Sequence, residues 1–335
     1  MAIPIHPLLP AIQALHRRIR GDVVRACEGA GVSALSGVAR EEEGDTIYAI
    51  DRVAEHVLVE EIGRTIATPD APVVLVAEGL PGGEIVIPAG ADRGAARWVI
   101  VVDPIDGTRG LMYQKRPAWI LTGVAPGPAP RTLADIELAV QTEIPLVKQH
   151  LSDELWAIRG EGASALRVNR LTGESRPLDL HPSAATTMAH GFVTVARFFP
   201  GNRAELASID YELVASVLGP PRQGKAQAFE DQYISTGGQL YELAAGHDRF
   251  VADLRPLVER SRAGGAALCC HPYDLCTELI ARELGVVITD ERGRPLEAPL
   301  DVTTDVSWVG YANQALRAGI EPHVRRALAR RGLVA

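Results

Sequence analysis

The stretch Trp98-Val-Ile-Val-Val-Asp-Pro-Ile-Asp-Gly-Thr108 constrains the fold more than any other part of this 335-residue chain. Its apolar run, Trp98 to Val102, reads as a buried strand. The run stops at two carboxylates, Asp103 and Asp106, with Pro104 and Gly107 shaping the turn. A carboxylate at the tip of a buried strand is costly unless it is paired or bound to a cation. In the spacing D-x-x-D both aspartates, with the Ile105 carbonyl between them, can converge on one cationic centre. Hard oxygen donors of this kind suit Mg²⁺. Gly107 lets a ligand approach the backbone closely, and Thr108 adds a hydroxyl that can orient a water. Taken alone, the motif also admits a plainer reading, a capped turn with two solvated aspartates.

Three further places bear on that choice. Asp45 and Asp51 flank the entrance of a helix, Glu78 ends a second apolar strand, Val73 to Val76, and Asp274 heads a helix in the second half. Each has its own explanation as a helix-end charge or cap. Four carboxylate sites at element termini are hard to explain together in that way. Ser235-Thr-Gly-Gly238 precedes another helix, where a glycine-rich turn allows close approach of a ligand or is simply a helix start.

The charge balance is acidic, 42 Asp and Glu against 34 Lys and Arg, and no long basic run appears. A nucleic-acid polymer is therefore not an expected partner. The basic stretch His323 to Arg331 suits the C-terminal end of a helix. No apolar run reaches the ~18 residues that would span a membrane. The N-terminus lacks a basic start before an apolar block, so no signal peptide is read and a cytoplasmic protein is expected. Cys269, Cys270, His271 and Cys276 invite a zinc reading, but adjacent cysteines do not match the usual ligand spacing.

Periodicity places helices over 11–29, 51–67, 209–218, 239–245 and 321–331, with a further helix after Asp274. Strands are read over 73–76, 98–102, 119–124, 133–141, 155–158, 190–195, 286–289 and 306–311. Residues 29–43 read as a loop, and Arg159-Gly-Glu-Gly-Ala163 as a hairpin turn. The pattern suggests an α+β lobe, residues 1–185, followed by an α/β lobe, residues 186–335.

The signature at 98–108 resembles that of the inositol monophosphatase superfamily of Mg²⁺-dependent, Li⁺-sensitive phosphatases. That superfamily includes inositol monophosphatases, 3′(2′),5′-bisphosphate nucleotidases and fructose-1,6-bisphosphatases. The order Asp45, Asp51, Glu78, the signature, Glu154 to Ala163, Asp274 and Glu278 to Asp290 agrees with the family over roughly residues 11–330. The resemblance implies a five-layer αβαβα sandwich with the active site between two lobes. It implies two or three Mg²⁺ ions, with Mn²⁺ as a possible substitute. Glu78, Asp103 and the Ile105 carbonyl would hold the first, and Asp103, Asp106 and Asp274 the second. A third would sit near Glu78 and the Asp45–Asp51 segment. Thr108, held by Asp51, would orient the attacking water with Glu78, and the Gly107 and Thr108 amides would hold phosphate oxygens.

Ser235, Gly237 and Gly238 are candidates for the sugar pocket. The activity implied is hydrolysis of a small sugar, inositol or nucleotide phosphate. A bisphosphate nucleotidase, a fructose-1,6-bisphosphatase or a non-catalytic phospho-ligand binder are the alternatives. The partner is a small phosphorylated metabolite, with no membrane and a possible homodimer.

The chain also departs from the family pattern. Gly79 stands where a second glutamate is usual. A family glutamate that touches sugar hydroxyls shortly before the late aspartate is not evident; Asp253 takes its place if 255–267 is an insertion. Arg109, Lys115 and Arg116 put positive charge near the mouth or else on a solvated loop.

Overall fold

The structure, a computed structural model, describes residues 5–29, 38–42, 45–48, 51–128, 130–260 and 268–334. For 38–42, 45–48, Arg52, Val53 and Glu55 the backbone alone is described. In chain order the first elements are α1 (Leu8–Gly29), β1 (Val38–Glu42), β2 (Asp45–Tyr48), α2 (Asp51–Thr65), β3 (Val73–Ala77), β4 (Glu84–Ile87), β5 (Trp98–Asp106) and α3 (Thr108–Met112). The antiparallel strands β6 (Ala118–Pro126), β7 (Leu138–Ile144), β8 (Leu151–Ile158), β9 (Ala163–Asn169) and β10 (Ser175–Pro177) follow. Then come β11 (Phe192–Val195), α4 (Arg203–Leu218), α5 (Thr236–Ala244), β12 (Asp248–Asp253), α6 (Arg255–Arg260), α7 (Glu278–Glu283), β13 (Val287–Thr289), β14 (Trp308–Tyr311) and α8 (Gln314–Ala329).

β5 is buried at every position because both of its faces meet apolar layers. Ile100 and Val102 join a core with Ile12 and Ile19 of α1 and Leu58 and Ile62 of α2. Val99 and Val101 alternate to the other face and join Leu240 of α5 and Leu279 of α7. Each such side chain contributes roughly 1.5–3 kcal/mol on burial. Among the described residues β5 lies within an eight-stranded sheet of order β10-β9-β8-β7-β6-β5-β3-β4. It pairs parallel with β3 and antiparallel with β6.

A four-stranded sheet, β11-β12-β14-β13, lies beyond α5 and α7. α4 and α8 pack on each other and cover it. The stacking is thus helix, sheet, helix, sheet, helix: the five-layer αβαβα sandwich expected from the sequence.

Several boundaries differ from the sequence reading. Residues 38–42 and 45–48 form an antiparallel pair where 29–43 was expected as a loop. α8 begins at its Asn313 cap, whose side chain accepts from the Leu316 N–H, and runs through Pro322. The expected start, Glu321, lies well inside this helix. β12 was not expected at all: its charged ends, Asp248 and Asp253, hide a buried strand. The expected hairpin turn at 159–163 joins β8 to β9. Its Gly160 and Gly162 amides hold the Glu283 carboxylate at 2.8 and 3.0 Å, so an anion of the chain itself fills that cradle.

Candidate active site

The ladder between β5 and β6 shifts register between Asp103 and Asp106. In a regular strand, residues three apart face opposite sides of the sheet. The irregularity turns both aspartates to one side, and Asp274 arrives beside them on a 3₁₀ turn, Pro272–Leu275. One ligand oxygen from each of Asp103, Asp106 and Asp274 lies within 4.8 Å of the others. The same cavity is lined by Asp51, Glu78, Ile105, Gly107, Thr108, Arg109 and Ser235, and also by Phe198, Phe199, Ile234, Arg255, Leu268, Cys269 and Tyr273.

Each carboxylate is held in place. Asp103 Oδ1 accepts from the Ile105 N–H at 2.9 Å. Asp106 Oδ2 accepts from Ser235 Oγ at 2.8 Å and from the Gly237 N–H at 2.6 Å. Asp274 Oδ2 accepts from the His271 N–H at 2.6 Å. Thr108 Oγ1 lies 2.9 Å from Asp51 Oδ1 and 2.8 Å from the Ile105 carbonyl.

The cluster is electrostatically unfavourable as it stands. Burial, then the neighbouring Asp106, Asp274 and Glu78 charges, pushes the Asp103 carboxyl well above the usual range. Burial does the same to Asp274, with Asp106 adding to it. Asp106 is pushed up only to about 6, because Ser235 and the amides of α5 offset its burial. Among the described residues no lysine or arginine pairs with any of the three. Two buried and one half-buried carboxylate, all oxygen donors, with only the more distant Arg255 charge offsetting Asp274, fit a hard divalent cation. Burial pushes the thiol of Cys269, also on the wall, up to about 12, which disfavours the thiolate.

The structure brings Asp51, Glu78, Asp103, Ile105, Asp106, Gly107, Thr108, Ser235 and Asp274 to one cavity. The side chain of Asp45 lies outside the described residues. Gly237 and Gly238 are not among the residues that line this cavity, and both are tightly packed. A Cβ on Gly237 would meet Leu121 Cδ2 at 2.5 Å and Asp106 Oδ2 at 2.9 Å, and one on Gly238 would meet the Tyr233 ring at 2.4 Å. Gly79 has φ +82°, a conformation strained for a glutamate. Asp253 is fully buried and turned to Arg255, which takes the wall position instead. Phe198, Phe199 and Arg255 were missed from the sequence. The one signal was an aromatic doublet in a chain with 5 phenylalanines.

No protein-family model matches this sequence, and no curated protein matches it. Solved structures match its fold. The fructose-1,6-bisphosphatase of Leishmania major, in holo form, gives a TM-score of 0.68 at 14% identity, over 96% of this chain and 94% of that one. The extragenic suppressor protein suhB of Bartonella henselae gives 0.63 at 16% identity, over 95% and 98%. The inositol monophosphatase of Anabaena gives 0.57 at 15% identity, over 96% of both chains. At these identities the likeness is one of fold.

Proposed function

We propose that this chain, which has the fold of the inositol monophosphatase superfamily, is a Mg²⁺-dependent phosphomonoesterase acting on a small phosphorylated metabolite. One observation carries the reading: Asp103, Asp106 and Asp274, far apart in sequence, meet beside Glu78 and the Asp51–Thr108 pair in one cavity. Asp103, Asp106, Asp274, Glu78 and the Ile105 carbonyl are the residues that would hold the cations. Gly79 supports a count of two ions, since its backbone disfavours the second glutamate a third would use. Divalent cations in such a site neutralise phosphate charge and lower the pKa of water.

The chain's own groups do the rest. Thr108 donates its hydroxyl hydrogen bond to Asp51 and presents a lone pair to the attacking water. Glu78 accepts that water's proton. The amides of Gly107 and Thr108, at the start of α3, face the phosphate oxygens. Ser235 and Gly237 fix Asp106 so that its oxygens do not swing when substrate enters.

The test is phosphate release from a panel of sugar, inositol and nucleotide monophosphates and bisphosphates, each in Mg²⁺ and in EDTA. Release from at least one member in Mg²⁺ only is expected. Silence across the panel, or release that EDTA does not touch, overturns the reading. Inhibition by Li⁺ is part of the same proposal and is read in the same assay.

A further inference from the structure

Besides its carboxylates, the cavity wall carries a built cationic surface. Arg255 is 6% exposed and lines the cavity. Its Nε donates to Asp253 Oδ1 at 2.9 Å, its Nη2 to Asp253 Oδ2 at 2.5 Å, and its Nη1 to the Leu268 carbonyl at 2.8 Å. The guanidinium carbon lies 4.3 Å from the centre of the Phe198 ring and 5.4 Å from that of Phe199. Arg109 also stacks on Phe199, at 5.0 Å. The two rings meet edge to face at 4.9 Å. Arg255 is therefore a fixed plate, not a solvated side chain.

A guanidinium has five N–H groups. Three of those on Arg255 are engaged, and the other two have no acceptor among the described residues. Asp253 compensates its charge, so the plate is tolerated in the free protein. Being already ordered, it loses little freedom when a ligand binds.

Neutral sugar hydroxyls need no buried cation. A carboxylate would serve them as an acceptor, and the carboxylate at hand, Asp253, is turned away to Arg255. A planar fork of N–H donors matches a carboxylate or phosphate. The reacting phosphate belongs to the acidic part of the cavity with its cations. We infer that the site takes phosphomonoesters whose leaving alcohol bears a second oxyanion, held by Arg255 and Arg109 against the Phe198–Phe199 wall. The inference rests on the phosphomonoesterase reading.

Two substrate pairs test it in Mg²⁺: glycerate 2-phosphate against glycerol 2-phosphate, and fructose 1,6-bisphosphate against fructose 1-phosphate. The first pair reads a carboxylate and the second a phosphate. In at least one pair kcat/KM favours the member with the second oxyanion by about tenfold or more, the worth of one charge-assisted pair. Arg109→Gln lowers that ratio toward one, mainly through KM. The double variant Asp253→Asn/Arg255→Gln does the same without stranding a buried carboxylate. Arg109, on the short surface helix α3, supplies a folded variant should the double one fail to fold.

Equal turnover within both pairs, or a preference that survives Arg109→Gln and the double variant, overturns the subsite. If no compound releases phosphate, titration calorimetry with the same four in Mg²⁺ separates the two ideas. Tighter binding of a member with the second oxyanion, weakened by Arg109→Gln, keeps the subsite, and the phosphatase reading is then decided by the wider panel. Equal binding sinks the subsite.

Discussion

Thr108 has one hydroxyl proton and two acceptors within reach, Asp51 and the Ile105 carbonyl. Which one receives it decides where the oxygen lone pairs face. In the proposed function the Ile105 carbonyl would be one of the groups that hold a cation, which would leave Asp51 as the acceptor of the Thr108 proton and a lone pair for water. Thr108→Val keeps the shape and removes both the proton and the lone pairs. We expect kcat to fall about 10²–10³-fold, in the range for loss of one well-placed polar contact in a transition state, with KM little changed. Thr108→Ser keeps most of the activity, because the hydroxyl and its partners remain. Steady-state phosphate release at saturating Mg²⁺ checks both, and a Thr108→Val enzyme with near-parental kcat removes the role. Gly237 shows the same economy of space, since its missing side chain is what lets its N–H reach Asp106.

At the level of elements, α7 begins with a buried acid. Glu278 is 2% exposed, lies 3.2 Å from Arg282 Nη1, and has one oxygen without a partner among the described residues. Burial pushes its carboxyl up to about 7, although Arg282 pulls the other way. Between about pH 4.5 and 7 the folded chain thus holds a proton that the unfolded chain has released, so this group lowers stability as pH rises through that window. Glu278→Gln cannot ionise. Relative to the parent it should gain up to roughly 3 kcal/mol between pH 5 and pH 8, read from urea unfolding at the two values. Parallel stabilities of parent and variant across that range would discount the burial argument. These buried acids also explain what the sequence revealed. β5 was legible because both faces are buried and its residues form an unbroken apolar run. β12 was not, because Asp253 looks like a surface charge until Arg255 is seen bonded to it. The carboxylate part of the site was legible because acids at the ends of buried strands are anomalous one by one. Of the arginine part, Arg109 and Asp253 were named as candidates, but residues 198–199, 255 and 268 acquire meaning only through contacts that no spacing encodes.

At the scale of the whole molecule, the site joins layers that have no other reason to hold like charges together. Asp103 and Asp106 come from the large sheet, Asp274 from the turn leading to the middle helices, and Ser235 with Gly237 from the start of α5. Their mutual repulsion, in a setting that strengthens it, opposes the closing of these layers until a cation binds. A ligand that binds only the folded state adds stability as RT ln(1 + [L]/Kd), about 2.7 kcal/mol at a hundred times Kd. For a chain of this size that amounts to a rise in Tm of about 4 °C. We therefore expect Tm to climb with Mg²⁺ above its value in EDTA. Asp103→Asn removes one of the three charges while keeping the side chain's size. In EDTA it should unfold at or above the parental Tm, since repulsion is relieved, and in Mg²⁺ it should lose most of the increment. Its Mg²⁺-dependent phosphate release should fall at least ~100-fold, about 2.7 kcal/mol of transition-state stabilisation. The two readouts together exclude simple unfolding: a misfolded variant would lose Tm in EDTA as well. A variant that keeps both the full Mg²⁺ increment and near-parental turnover would mean that these acids converge without holding the cation.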